Sequence, residues 1–297
     1  VIHVSAVADE YKETFNLLDR DLPISSQLSL QQLNPGPQAL MIPRRVVLAQ
    51  RNTPALFGTG LIDQIPEHVI IANMRDKIAL HMAVGRILRL PNGGLGRFGW
   101  KAQTSSLSEF VQAACANELG LSNPNHPQPT PLRRPEYKKV GFDLTQEQCD
   151  QMTAFIASLP RPIERTPTDA NERTDAAQGK VLFRRMGCAD CHTPSLGSVK
   201  GIYSDLLLHR MGSELASGGV YYDFGTPSNG PQADEWRTTP LWGVADSAPY
   251  MHDGRAATLD DAIRMHGSYA HRYLSLPRDD QRRLITFLKT LRAPAKE

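Results

Sequence analysis

The sequence predicts a mainly α-helical protein of two units with long irregular loops and little strand. Three observations predict it. Capped stretches with apolar residues at helical spacing recur along the chain, strand-like alternation is scarce, and one pattern of residues occurs in both halves. Gly and Pro, 22 of each, are scattered between these stretches, as irregular connections require.

The helices are read from their start signals. Ser106 and Glu109 form a capping box that opens a helix with Leu107, Phe110, Val111 and Ala114 on one face. Thr145 with Gln148 opens another, running to about Ser158. Asp175 to Met186 is expected to be a helix, Thr258 with Asp261 caps a short one that Gly267 ends, and Pro277 to Leu291 is amphipathic. The stretch Leu159 to Thr174, rich in Pro and polar residues, reads as a linker. The expected division is therefore a first half at 1–160, a linker at 161–174 and a second unit at 175–297.

The chain has 297 residues, enough for two cores. Apolar residues make up 40% and charged residues 22%, the proportions of a globular protein. A net charge of +2 provides no field directing the chain to nucleic acid or to a membrane surface. No stretch reaches the roughly 18 consecutive apolar residues of a spanning helix. The chain starts at Val1, read as a mature or cut terminus, so a missing leader says nothing of compartment.

The repeat pairs Arg51-Asn52-Thr53-Pro54-Ala55-Leu56-Phe57-Gly58 with Arg237-Thr238-Thr239-Pro240-Leu241-Trp242-Gly243. Each is followed by a capped helix, at Ser106 and at Thr258. Trp100 precedes Leu107 by seven positions, as His252 precedes Leu259. The first copy has extra sequence at about 59 to 95.

Cys188-Ala189-Asp190-Cys191-His192 is the pattern of covalent haem attachment. Two thiols add to the porphyrin vinyl groups, and the histidine that follows becomes an axial ligand of the iron. A zinc site would need a second pair of ligands at matched spacing, which the sequence lacks. Candidates for the other axial position are His209, Met211, Met251, His252, Met265, His266 and His271. Leu259, Ala262, Ile263 and His266 share one helical face, which favours His266. Met251 in a loop is its rival. Of four cysteines, Cys115 and Cys149 remain, and they are read as one disulfide or as two buried thiols.

Several stretches together resemble the di-haem oxidoreductases, relatives of bacterial di-haem cytochrome c peroxidases. They are Gly187 to Pro194, Tyr203-Ser204-Asp205-Leu206-Leu207-Leu208-His209, Glu235 to Thr238, Pro249-Tyr250-Met251-His252-Asp253-Gly254-Arg255, Thr53 to Leu61 and Gly96 to Ala102. The resemblance covers about residues 45 to 292. It implies two cytochrome c-like units, each with a haem c, and electron flow from the second haem to the first, where peroxide or a related substrate reacts. It implies His192 and His266 as axial ligands, Trp100 as the aromatic group between haems and Glu118 as an acid-base residue. It also implies a redox partner protein, a location that is periplasmic or otherwise outside the cytoplasm, and calcium as a further possible ligand. One family feature is missing, because no second Cys-x-x-Cys-His occurs in the 297 residues. The spacing of Cys188 from Arg237, counted back from Arg51, reaches position 2. A first haem is therefore expected on a segment before Val1 or on a second chain. The alternative is a mono-haem electron carrier or a haem subunit of a larger complex, its first half serving for binding.

Overall fold

The computed structural model describes residues 51–128, 136, 138, 141–216 and 230–295. The start of the chain, where the counted-back position falls, lies outside the described residues. The described residues fall into two compact units, one of 51–110 with 153–216 and 230–295, and one within 111–152. Residues 51–110 thus group with the second half of the sequence.

The larger unit is helical, with strands only as short antiparallel pairs. Two helices, α1 (Thr59–Asp63) and α2 (Glu67–Ala79), fall in the extra stretch of the first copy. Next come α3 (Leu107–Leu119) and α4 (Gln146–Ser158), each with residues in both units, and then α5 (Ala170–Arg185), α6 (Cys188–Cys191), α7 (Leu259–Arg264), α8 (Ala270–Leu274) and α9 (Arg278–Lys289) of the larger unit. The helix expected from Asp175 begins earlier because Asp169 caps it, its carboxylate accepting the Glu172 N–H at 2.8 Å. The expected linker is thus ordered. Ile163–Glu164 (β1) also pairs with a strand at Leu291–Arg292.

The core of this unit forms where α5 crosses α9. A Cβ on Gly179 would lie 2.0 Å from the Arg283 carbonyl, so only glycine permits the approach. The rings of Phe183, Tyr203 and Phe287 meet edge to face at 5.4–5.7 Å, ringed by Leu182, Leu284, Leu288 and Leu291.

The two copies of the repeat adopt the same local structure. Gly58 (φ 76°) and Gly243 (φ 73°) are both left-handed and each opens a helical turn. Each sits against the other copy's aromatic ring: a Cβ on Gly58 would be 2.7 Å from Trp242, and one on Gly243 would be 2.4 Å from Phe57. The loops before the capped helices match as well, closed by the bridges Phe98–Thr104 and Tyr250–Ala256. The copies also exchange hydrogen bonds. The Asn52 N–H donates to His252 O (2.8 Å), and the Arg237 N–H donates to Trp100 O (2.9 Å).

The helix caps differ in one detail. Thr258 and Asp261 make the full capping box, as do Thr145 and Gln148. Ser106 Oγ accepts the Glu109 N–H, but the Glu109 carboxylate receives Ser105 N–H (3.0 Å). The box expected at Ser106 is therefore shifted at one of its two bonds.

In the smaller unit, Asn123 donates to Gln112 O (2.9 Å), and Ser122 binds Asp143 through both its N–H and its hydroxyl. Cys115 and Cys149 are both buried and stand as thiols in the structure, the second of the two readings. Burial pushes the Cys115 thiol up, and Cys149 adds to the effect. As small apolar groups, both are satisfied by packing.

Candidate haem site

Helix α5 ends in the Leu182–Phe183 core and hands the chain to Gly187, whose left-handed φ of 81° turns it into α6. A Cβ there would meet Arg272 Nη1 at 2.7 Å. Cys188 and Cys191 bracket this single turn, and His192 follows at its end, donating its N–H to Cys188 O (2.9 Å). Burial pushes the two thiols up, to about 11 for Cys188 and about 12 for Cys191. Both are therefore protonated at neutral pH.

His192 Nδ1 lies 3.0 Å from Tyr203 O. A carbonyl only accepts, so Nδ1 carries the proton and Nε2 keeps a free lone pair. His266 is arranged in the same way, with Nδ1 2.7 Å from Ala262 O in its own helix. Burial holds His192 neutral down to about pH 4 and also lowers His266. The two ring centres are 6.5 Å apart and tilted by 50°. Imidazoles on opposite sides of one iron, with bonds of about 2.0 Å and roughly 1.2 Å from nitrogen to ring centre, would stand about 6.4 Å apart. The pair therefore fits a six-coordinate haem, and its tautomers suit ligation.

The other histidines and Met251 have surroundings of their own. His209 is bound to Asp205 (2.9 Å) and faces Cys191 Sγ (3.3 Å). His252 stacks on Trp236 at 3.7 Å. His271 is exposed. Met251 occupies a left-handed position (φ 72°) in the turn before Gly254. Trp100 donates its indole N–H to Asn52 O (2.8 Å) and meets Trp236 and His252 edge to face at 6.5 and 6.4 Å. The Lys101 ammonium lies 3.6 Å from the Trp236 ring centre and donates to the Gln232, Ala233 and Glu235 carbonyls. Glu118 is exposed in the last turn of α3. Among the described residues no group of three or more His, Cys, Asp or Glu could hold a metal ion, so the calcium expectation finds no ligand cluster there. Nor is any described helix long and apolar enough to cross a membrane.

Sequence reasoning missed Lys77, which is buried and bound to Asp205 (2.8 Å). It also gave Asp205 and Trp236 no role. Pro66 followed by Glu67 was a readable start signal for the helix that carries Lys77.

The sequence model of the di-haem oxidoreductase family matches residues 38–291. The chain belongs to this family. With membership come haem-based redox function and haem c as the cofactor. The chain is 25% identical over 286 residues to the cytochrome c551 peroxidase of Pseudomonas aeruginosa, covering 89% of this chain and 79% of that one. It is 24% identical to that of Nitrosomonas europaea, covering 65% of this chain and 60% of the relative's length. Among solved structures, a di-haem peroxidase from Burkholderia thailandensis aligns with a TM-score of 0.45 and 15% identity, over 84% of this chain and 73% of that one.

Proposed function

We propose that this chain passes electrons through a haem c tied to Cys188 and Cys191, towards a second haem where peroxide or a related substrate reacts. One observation carries the reading: the ring centres of His192 and His266 lie 6.5 Å apart, and both Nδ1 atoms are taken by carbonyls. Bound there, the haem supplies a one-electron carrier. The chain's own residues do the rest. Tyr203 O and Ala262 O fix the two imidazole tautomers, and the Phe183 core behind His192 keeps water from the ring. Trp100, in edge contact with Trp236 and His252, is the aromatic group offered for electron passage between centres.

The repeat supports an open site in the first copy. His266 follows the Thr258 cap by eight positions, and the residue eight after Ser106 is Ala114, which cannot ligate. One axial position would be left to substrate there, with Glu118 farther along the same helix to move a peroxide proton. A redox partner protein would deliver the electrons. The second haem would come from an upstream segment or another chain, in a compartment outside the cytoplasm. A second reading is a mono-haem electron carrier without chemistry of its own.

The test is a pyridine haemochrome count on the natural protein, together with spectra of the His266→Ala variant. Two haems and peroxide turnover support the first reading, and one haem with fast electron exchange supports the second. His266→Ala should convert a low-spin spectrum to high-spin. An unchanged spectrum moves the ligand to Met251.

A further inference from the structure

Beside the haem-attachment turn lies a set of buried charges that the proposed function does not use. Lys77 Nζ is 2.8 Å from Asp205 Oδ2, and the same oxygen receives His209 Nε2 at 2.9 Å. The side chains of Lys77 and His209 are 5% exposed and that of Asp205 is 0% exposed. Asp205 Oδ1 accepts the Leu207 N–H (3.0 Å), and the Asp205 N–H donates to Cys191 O (3.0 Å). His209 Nδ1 faces Cys191 Sγ at 3.3 Å. The chain closes tightly over this group. A Cβ on Gly85 would lie 2.6 Å from His209 Nε2 and 2.7 Å from Leu208 O.

Such an arrangement is costly to build. A buried ion pair is often no more stable than an apolar replacement of the same volume, so packing alone does not account for it. The lysine comes from α2, in the stretch by which the first copy exceeds the second, and it reaches a motif 128 positions away. Burial opposes the Asp205 charge, but His209 and Lys77 outweigh it and hold the carboxyl below its ordinary range. The pair is joined to the haem-attachment turn, because Asp205 donates its N–H to Cys191 O and Lys77 binds the same Asp205. Arg237, also buried, lies within the field of Asp205, but its guanidinium is spent on Gly99 O and Thr238 O.

We propose that Lys77 and Asp205, steadied by His209, are positioning residues that set the reduction potential of the haem held at Cys191 and His192. This rests on the haem reading above. A buried negative charge favours the oxidised, more positive iron, and a buried positive charge favours the reduced one. In a site screened from water and salt neither effect is diluted. The matched pair therefore holds the potential between two extremes that either charge alone would impose.

The experiment is a spectroelectrochemical titration of the haem-loaded full chain, with dithionite as reductant and ferricyanide as oxidant. Wild type is compared with Lys77→Met, Asp205→Asn, the double variant and Lys77→Arg. Lys77→Met should lower the midpoint potential and Asp205→Asn should raise it. The double variant and Lys77→Arg should return it close to wild type. Shifts of the same sign in both single variants, or no shift, overturn the proposal, since loosened packing has no reason to move them oppositely. If Asp205→Asn does not fold, the sign of Lys77→Met against Lys77→Arg decides: a fall supports the proposal, and a rise or no change overturns it. A wild-type protein without a haemochrome would instead sink the haem reading itself.

Discussion

The two copies of the repeat share a scaffold and differ at the positions that matter for chemistry. Both have a left-handed glycine packed on the other copy's ring, a bridged loop and a capped helix. Where the second copy places His252 the first places Trp100, and where the second places His266 the first has Ala114. The backbone is thus retained while the side chains at two equivalent positions differ, an indole standing for an imidazole at one and a methyl for an imidazole at the other. Function is separated from fold at single residues.

The sharpest way to break this comparison is at the attachment turn. Cys191→Ser should leave at most one thioether, read as haem lost to acid–acetone extraction or as a shifted haemochrome band, whereas Cys149→Ser should leave haem content unchanged. Equal effects would remove the distinction between the two pairs of cysteines.

The glycine exchange comes next. Gly58→Ala and Gly243→Ala should each destabilise by about 2–4 kcal/mol, combining a left-handed non-glycine residue with overpacking against a ring. Because each contact lies between the copies, chemical denaturation should report similar losses for both. A loss at only one position would mean that the exchange is not symmetric.

The caps should have smaller effects. Thr258→Ala and Ser106→Ala should each cost about 1 kcal/mol, the former more because it removes a complete box. Thermal melts of the pair measure the difference.

The smallest effect is on pH dependence. Burial holds His252 neutral in the folded chain down to about pH 4, below its ordinary value of 6.5. The unfolded chain therefore binds more protons in that window, and stability falls as pH drops from about 6.5 towards 4. His252→Phe keeps the stack on Trp236 and should flatten the curve measured by urea titration, while Trp100→Phe at the equivalent position should not.

Much of this was legible because its determinants are local. Cys188 to His192 is contiguous, so its chemistry needs no tertiary information. His266 could be singled out because helical periodicity puts it on the face of Leu259 and Ala262. The start of α5 at Ala170 was not legible, because Asp169 lies in a stretch whose prolines and polar residues read as a loop until the cap bond forms. The thiol or disulfide state of Cys115 and Cys149 was equally out of reach, since cysteine count permits a bond without requiring one.

The sequence by itself determined the helical class, the Cys-x-x-Cys-His pattern and the duplicated pattern, and it put His266 on the face of Leu259 and Ala262, since each is written in neighbouring residues or in a period. Only the tertiary structure decided that Lys77 meets Asp205, that His209 is spent on Asp205 and Cys191, and that each glycine of the repeat lies under the other copy's ring. Those contacts join residues distant in the chain. Short-range propensity does not encode such pairings. They become favourable only once burial has removed water and brought the partners together.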